Sequence, residues 1–234
     1  MNEETLSYLI NLKYGNLSID DYETLKDQDN VFHKFANMFK NEPYPLPEST
    51  KNEIDQLIKI QNTNMNDSNW KEIEGVIVLC DSDPLGVIRE LCTDLKVEYK
   101  DQYISKVSER LGSFIMELKS HYQRPRPYQV SLYTNQDFHS QPTISGHSPA
   151  YPSGHTIQAY MVCKIIAFHN PEKEKEIMEI AKVVSDSREI LGVHYPSDNL
   201  FSRYIVDELC EIKEIKDIYF NPKKLKSTND SKAK

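Results

Sequence analysis

Residues 104–119 read ISKVSERLGSFIMELK, and their spacing decides the fold class. Ile104, Val107, Leu111, Phe114, Ile115 and Leu118 fall on one stripe of a helix, whereas a strand would scatter them over both faces. The stretch closes on Lys119, a cation of the kind favoured in a last helical turn. Toward the N-terminus the same period returns in Leu85, Ile88, Leu91, Cys92 and Leu95, behind Asp83-Pro84, which reads as an N-cap followed by a first-turn proline. Further stripes are Ile54, Leu57 and Ile58; Phe32, Phe35, Met38 and Phe39; and Leu6, Leu9 and Ile10. Breaks between them fall at the polar residues 61–69, at Pro43, Pro45 and Pro47, and at Gly15. The run VIVLC at 76–80 fits a buried strand as well as a buried helix.

Toward the C-terminus, residues 120–152 lose the period and hold Pro125, Pro127, Pro142, Pro149 and Pro152, which predicts one long loop. Loops of that length in compact domains carry function or are disordered. Helical stripes resume with Ile157, Tyr160, Met161, Ile165 and Ile166, then Ile177, Ile180, Ala181, Val184 and Leu191, then Leu200, Phe201, Tyr204, Ile205 and Leu209. The expected architecture is all-α: one helical bundle domain over 1–221, its site between helix ends and the long loop. A lysine-rich tail, 222–234, is expected to be disordered.

At 234 residues the chain can bury a sizeable core. Its 28 basic and 36 acidic residues give a net charge of −8, which argues against a nucleic-acid partner. A membrane-spanning helix needs about 18 nearly uninterrupted apolar residues. The best run, 161–168, is short and contains Lys164, so no integral membrane association is expected. The acidic start, Met1-Asn2-Glu3-Glu4, does not resemble a signal peptide. Cys80, Cys92, Cys163 and Cys210 form no Cys-x-x-Cys pair, so zinc has no support and a reducing, cytoplasmic setting is expected.

Arginine is scarce, six against 22 lysines, yet Arg124, Arg126 and Arg188 sit among prolines, histidines and serines in the second half. Guanidinium forks suit phosphate because they offer paired donors and keep their charge. Three segments sharpen this. The first runs from Lys119 through six residues to Arg126-Pro127. The second is Pro152-Ser153-Gly154-His155. The third is Ser187-Arg188, five residues, His194, three residues, Asp198. Each is weak alone; in this order they match the three-part signature of the type 2 phosphatidic acid phosphatase superfamily at every specified position. The resemblance covers 119–198, about a third of the chain. The local texture, with His121-Tyr122, Arg124 and Tyr151 through Thr156, is most similar to the soluble class A acid phosphatases.

This resemblance implies a metal-independent phosphatase acting on phosphomonoesters through a phosphohistidine. His194 would be the nucleophile, held by Asp198, which would also cap the last helix. His155 would protonate the leaving oxygen and then activate water, which implies a mildly acidic preference. Lys119, Arg126 and Arg188, with Ser153 and the Gly154 amide, would hold the phosphoryl oxygens. Gly154 would let the backbone approach the phosphate. Arg124 and Tyr151 would support these from behind, and His147, in a second Ser-Gly-His, reads as a loop residue. No cofactor is implied, and vanadate would act as inhibitor. The alternatives are a vanadium haloperoxidase using the same pocket, with vanadate as cofactor, and a non-catalytic phosphate-binding or structural protein. The expected partner is a small phosphate ester; homo-oligomerisation is left open.

Overall fold

The stretches with a helical apolar period form helices, and the ambiguous run joins them. The computed structural model describes residues 3–15 and 30–221, and no strand occurs among them. Helix α1 (Glu3–Asn11) comes first. A 3-10 turn (Val31–Phe35) runs into α2 (Ala36–Lys40), followed by α3 (Pro47–Met65), α4 (Trp70–Ser82), α5 (Pro84–Asp94) and α6 (Asp101–Tyr122). Then come α7 (Pro127–Thr134), α8 (Gly154–His169), a second 3-10 turn (Pro171–Lys173), α9 (Glu174–Ile190), α10 (Pro196–Glu211) and α11 (Lys213–Tyr219). None of these helices is long and apolar enough to cross a membrane. The tail 222–234, expected to be disordered, lies outside the described residues.

One open reading is settled and one expectation is corrected. The run 76–80 is helical, inside α4. Ile77 and Cys80 are buried while Val76, Val78 and Leu79 are exposed, a one-sided pattern that follows a helical and not an alternating period. The long loop is interrupted by α7. Pro127 was read as a breaker, but it occupies the first helical turn, where a missing N–H is not needed. The predicted cap at Asp83 holds: its Oδ1 accepts from Gly86 N at 2.8 Å, and Pro84 opens α5.

Helix α8 is the axis of the fold because it is apolar on nearly every side. Ile157, Met161 and Ile165 join Leu111, Phe114 and Leu118 of α6 and Phe201, Ile205 and Leu209 of α10. On its other side Ala159, Val162, Cys163 and Ile166 join Ile88 and Cys92 of α5 and Ile177, Ala181 and Val184 of α9. Full burial of each large aliphatic is worth about 1.5–3 kcal/mol, so α8 is fixed by many such contributions. Its N-terminus is thereby brought beside the C-terminal ends of α6 and α9 and the start of α10. A smaller apolar group, Ile54 and Leu57 of α3 with Val130, Phe138, Ala150 and Tyr195, backs this junction.

Candidate active site

Helix α6 ends at Gln123, whose left-handed backbone (φ 56°) turns the chain sharply after Lys119 and Tyr122. The extended link Arg124-Pro125-Arg126 follows, and Pro127 starts α7. Helix α9 ends beyond Arg188 in a turn where Gly192 adopts φ +71°. A Cβ there would lie 2.6 Å from Phe138 Cζ and 2.8 Å from Gln61 Nε2, so the position requires glycine on both conformational and steric grounds. The amides of Val193 and His194 return to Arg188 O at 3.1 and 3.3 Å, which ties the arginine and the histidine into one rigid turn. Pro196 then opens α10 with Asp198 in its first turn.

The predicted residues converge. His194 Nδ1 lies 3.0 Å from Asp198 Oδ2, which also accepts from Tyr195 N at 2.9 Å; Asp198 therefore caps α10 and holds the imidazole at once. Because a carboxylate accepts, Nδ1 carries the proton and the Nε2 lone pair faces outward. Arg126 Nη1 donates to that Nε2 at 2.9 Å and to Val193 O at 2.6 Å. Arg124 reaches the same pair from behind: Nη1 donates to Asp198 Oδ1 at 2.5 Å and Nη2 to Glu53 Oε2 at 2.8 Å, with its guanidinium 3.8 Å from the Tyr195 ring centroid. Tyr151 stacks on Phe201 at 4.4 Å and stands 5.8 Å from Arg124, supporting that side.

On the opposite wall Arg188 Nη1 donates to Asp81 Oδ1 at 2.9 Å and Nη2 to Ser145 Oγ at 2.8 Å. Its Nε is buried with no hydrogen-bond partner among the described residues, an orphaned donor suited to an oxyanion. His155 Nε2 faces the main-chain oxygen of Asp81 at 3.3 Å. Lys119 Nζ donates to Pro149 O. Lys119, Arg124, Arg126, Arg188, His194 and Asp198 are each 3% exposed or less.

Two of the expected residues also serve packing. The Ser153 hydroxyl is engaged with Thr156 Oγ1 at 2.9 Å, in a network that continues to Asn199 Oδ1 at 2.7 Å and stitches α8 to α10. Gly154 has a packing reason as well: a Cβ would stand 3.3 Å from Ile115 Cγ2 and 3.9 Å from Lys119 Cε, so glycine seats α8 against the end of α6. His147 is exposed, in keeping with a loop residue.

Sequence reasoning missed Asp81, Glu53, Ser145 and Ser148. Asp81 and Glu53 lie on α4 and α3, far in sequence from every motif, and no spacing links them to it. Ser145 carried a signal, the duplicated Ser-Gly-His, but nothing in its neighbours said which copy faced the arginines.

The electrostatics follow from burying cations together. Burial, then Arg126, pushes Lys119 well below the usual amine range. Burial and Arg188 bring Arg126 down to about 10. Burial, then Arg126, Lys119 and Arg188, hold His194 well below the ordinary imidazole range, so it is neutral. Burial also raises Asp198 to about 6, against the pull of Arg124. Asp81 is pushed up by burial, but the bonds from Ser145, Thr143 and Ile144 N, with Arg188, hold it well below the usual carboxylate range. His155 is pushed down to about 3 by burial and then Arg188. That corrects the expectation of a protonated His155 awaiting substrate: a cation-rich pocket without an anion disfavours a further positive charge.

Residues 106–206 match the PAP2 superfamily. Among solved structures the chain is similar to one described as the first transmembrane PAP2 type phosphatidylglycerolphosphate phosphatase from Bacillus subtilis. The two share 20% identity and a TM-score of 0.47, over 75% of this chain and 89% of that one.

Proposed function

We propose that this chain, whose residues 106–206 match the PAP2 superfamily, is a phosphatase that hydrolyses phosphomonoesters by way of a phosphohistidine at His194. The observation that carries the reading is the pairing of His194 Nδ1 with Asp198 at 3.0 Å, with Nε2 turned toward Arg126 at 2.9 Å. A neutral imidazole whose Nδ1 proton is held keeps an Nε2 lone pair that becomes a nucleophile once Arg126 turns to the phosphoryl oxygen beside it.

Lys119, Arg126 and Arg188 bind the non-bridging oxygens, with Arg188 Nε supplying a donor that has no partner of its own among the described residues. His194 Nε2 attacks phosphorus, the P–O bond to the leaving group breaks, and His155 gives its proton to the departing oxygen. Asp198, fixed by Arg124, stabilises the cationic phosphohistidine. Water then attacks phosphorus while His155 takes its proton, and phosphate leaves. The proton on His155 arrives with the substrate. A phosphomonoester has its second pKa near about 6, so its monoanion can pass a proton to His155 as the ester's charge lifts that imidazole's basicity.

The test is rapid quench with a radiolabelled ester, run over a panel of nucleotides, sugar phosphates, alkyl phosphates and short-chain phosphatidate. Wild type should yield an acid-labile, base-stable phosphoryl protein that H194A does not form. Turnover that survives H194A would falsify the nucleophile assignment.

A further inference from the structure

Each of the three cations assigned to phosphate already donates to the chain's own oxygens, and most of these oxygens come from one short segment. Ser145 Oγ sits 2.8 Å from Arg188 Nη2, Ser148 O 2.7 Å from Arg126 Nε, and Pro149 O accepts from Lys119 Nζ. The nucleophile's lone pair is occupied by Arg126. From the same side, Asp81 grips the segment: its carboxylate accepts from Thr143 Oγ1 at 2.7 Å, Ile144 N at 2.7 Å and Ser145 Oγ at 2.5 Å. We propose that residues 143–149, latched by Asp81, form a plug that fills the anion pocket of the resting protein and is displaced when a phosphoryl group enters. The proposal rests on the assignment of Lys119, Arg126 and Arg188 as phosphate ligands.

The segment is built to leave without unravelling the fold. Main-chain bonds pin its ends, Gln141 N to Leu191 O at 2.8 Å and Ala150 N to Arg124 O at 2.9 Å. Between these pins it is held through Asp81 and the cations, together with a 3.5 Å contact from Tyr14 OH to Gly146 O. Its outer side faces solvent: Pro142, Ile144 and His147 are exposed. The acceptors it offers are the Ser145 and Ser148 hydroxyls and main-chain carbonyls, all neutral. A phosphoryl dianion adds full ion pairing and forked bonds to the same cationic donors, which a neutral hydroxyl or carbonyl cannot match. The plug therefore satisfies buried cations that would otherwise be unpaired, yet yields to the one ligand that outcompetes it. Arg188 Nη1 can remain on Asp81 throughout, so the arginine keeps its aim while Nη2 changes partner.

The direction of a mutational effect separates a plug from an ordinary binding element. If Ser145 were a ligand of the substrate, S145A would weaken anion binding. As part of a plug, S145A should strengthen it. T143V, which removes one bond to the latch and keeps the side chain's shape, should act the same way. The probe is orthovanadate, titrated by calorimetry and stopped flow into the full chain, with circular dichroism confirming that each variant is folded. Both variants should bind about 3- to 10-fold tighter than wild type, a change of at most about 1.4 kcal/mol, and chiefly through faster association. Equal or weaker binding by both overturns the plug. Ester hydrolysis is followed in parallel. Tighter vanadate binding by the variants without hydrolysis by any form leaves the plug standing and removes the phosphatase reading. Hydrolysis with unchanged vanadate affinity does the reverse. Vanadate bound by none of the three removes both.

Discussion

Arg124 is fully buried between two carboxylates, Asp198 at 2.5 Å and Glu53 at 2.8 Å. Burial alone would lower its pKa; Asp198, Tyr195, Glu53 and Tyr44 together outweigh that and raise it, so the guanidinium stays charged. Breaking a buried pair by removing one partner typically costs about 3–5 kcal/mol, because a charge is left uncompensated. R124A is accordingly expected to lose stability of that order in urea unfolding, and R124K to recover only part, since an ammonium cannot fork to Asp198 and Glu53 at once. His155 is expected to show its role through the leaving group. H155A should slow hydrolysis of an alkyl phosphate by about 10²- to 10⁴-fold, the usual worth of general acid catalysis. The same variant should slow p-nitrophenyl phosphate much less, because that leaving group needs little protonation. Equal losses on both esters would remove the acid role from His155.

At the scale of elements, the site depends on two junctions. The α9–α10 turn holds Arg188 and His194 in register through bonds from the Val193 and His194 amides to Arg188 O. Gly192→Ala meets both a positive φ and a Cβ position 2.6 Å from Phe138 Cζ. The backbone strain alone costs about 1–3 kcal/mol. The clash adds to it, so thermal unfolding should fall clearly and kcat/KM should fall with it as Arg188 and His194 shift together. The α6–α8 junction is the second. Gly154→Ala would press on Ile115 at 3.3 Å, and its expected signature is weaker phosphate binding through a displaced Lys119, with less loss of stability than Gly192→Ala. A Gly154→Ala protein with unaltered KM would show that the helices give way there. Helix α7 and the run 76–80 belong to this scale too. Proline is ambiguous between breaker and starter, and a five-residue apolar run suits either period, so only neighbours on both sides decide.

For the whole molecule the expected outcome is a narrow pH optimum. Asp198, raised to about 6 by burial, must stay ionised to hold His194 Nδ1–H, so kcat/KM should fall as pH drops through that value. On the alkaline side the substrate monoanion, which brings the proton for His155, disappears above its second pKa of about 6. The two limbs enclose a peak near pH 6, and they can be told apart. Esters of lower second pKa should move the alkaline limb alone. D198N should flatten the acid limb and lower kcat by up to about 10⁴-fold, as loss of a tautomer-fixing carboxylate does. An alkaline limb that ignores the ester used would place the proton donor on the protein from the outset. The charges of Lys119, Arg126 and Arg188 reach the site from three separate elements, which is why no single segment predicts these limbs.

The amino-acid sequence by itself determined that the chain is helical, because a repeat of three to four is a local property written in neighbouring residues. It also determined the order of reactive groups, from Lys119 to Asp198, because their spacing within each helix end is local as well. Only tertiary structure decided what neutralises them. Asp81 and Glu53 arrive from α4 and α3, at 107 residues from Arg188 and 71 from Arg124, through the packing of α8 and its neighbours. It likewise decided that His155 rests neutral and that Ser145 faces Arg188. Burial and charge are sums over everything nearby in space, and proximity in space is what a linear pattern does not contain.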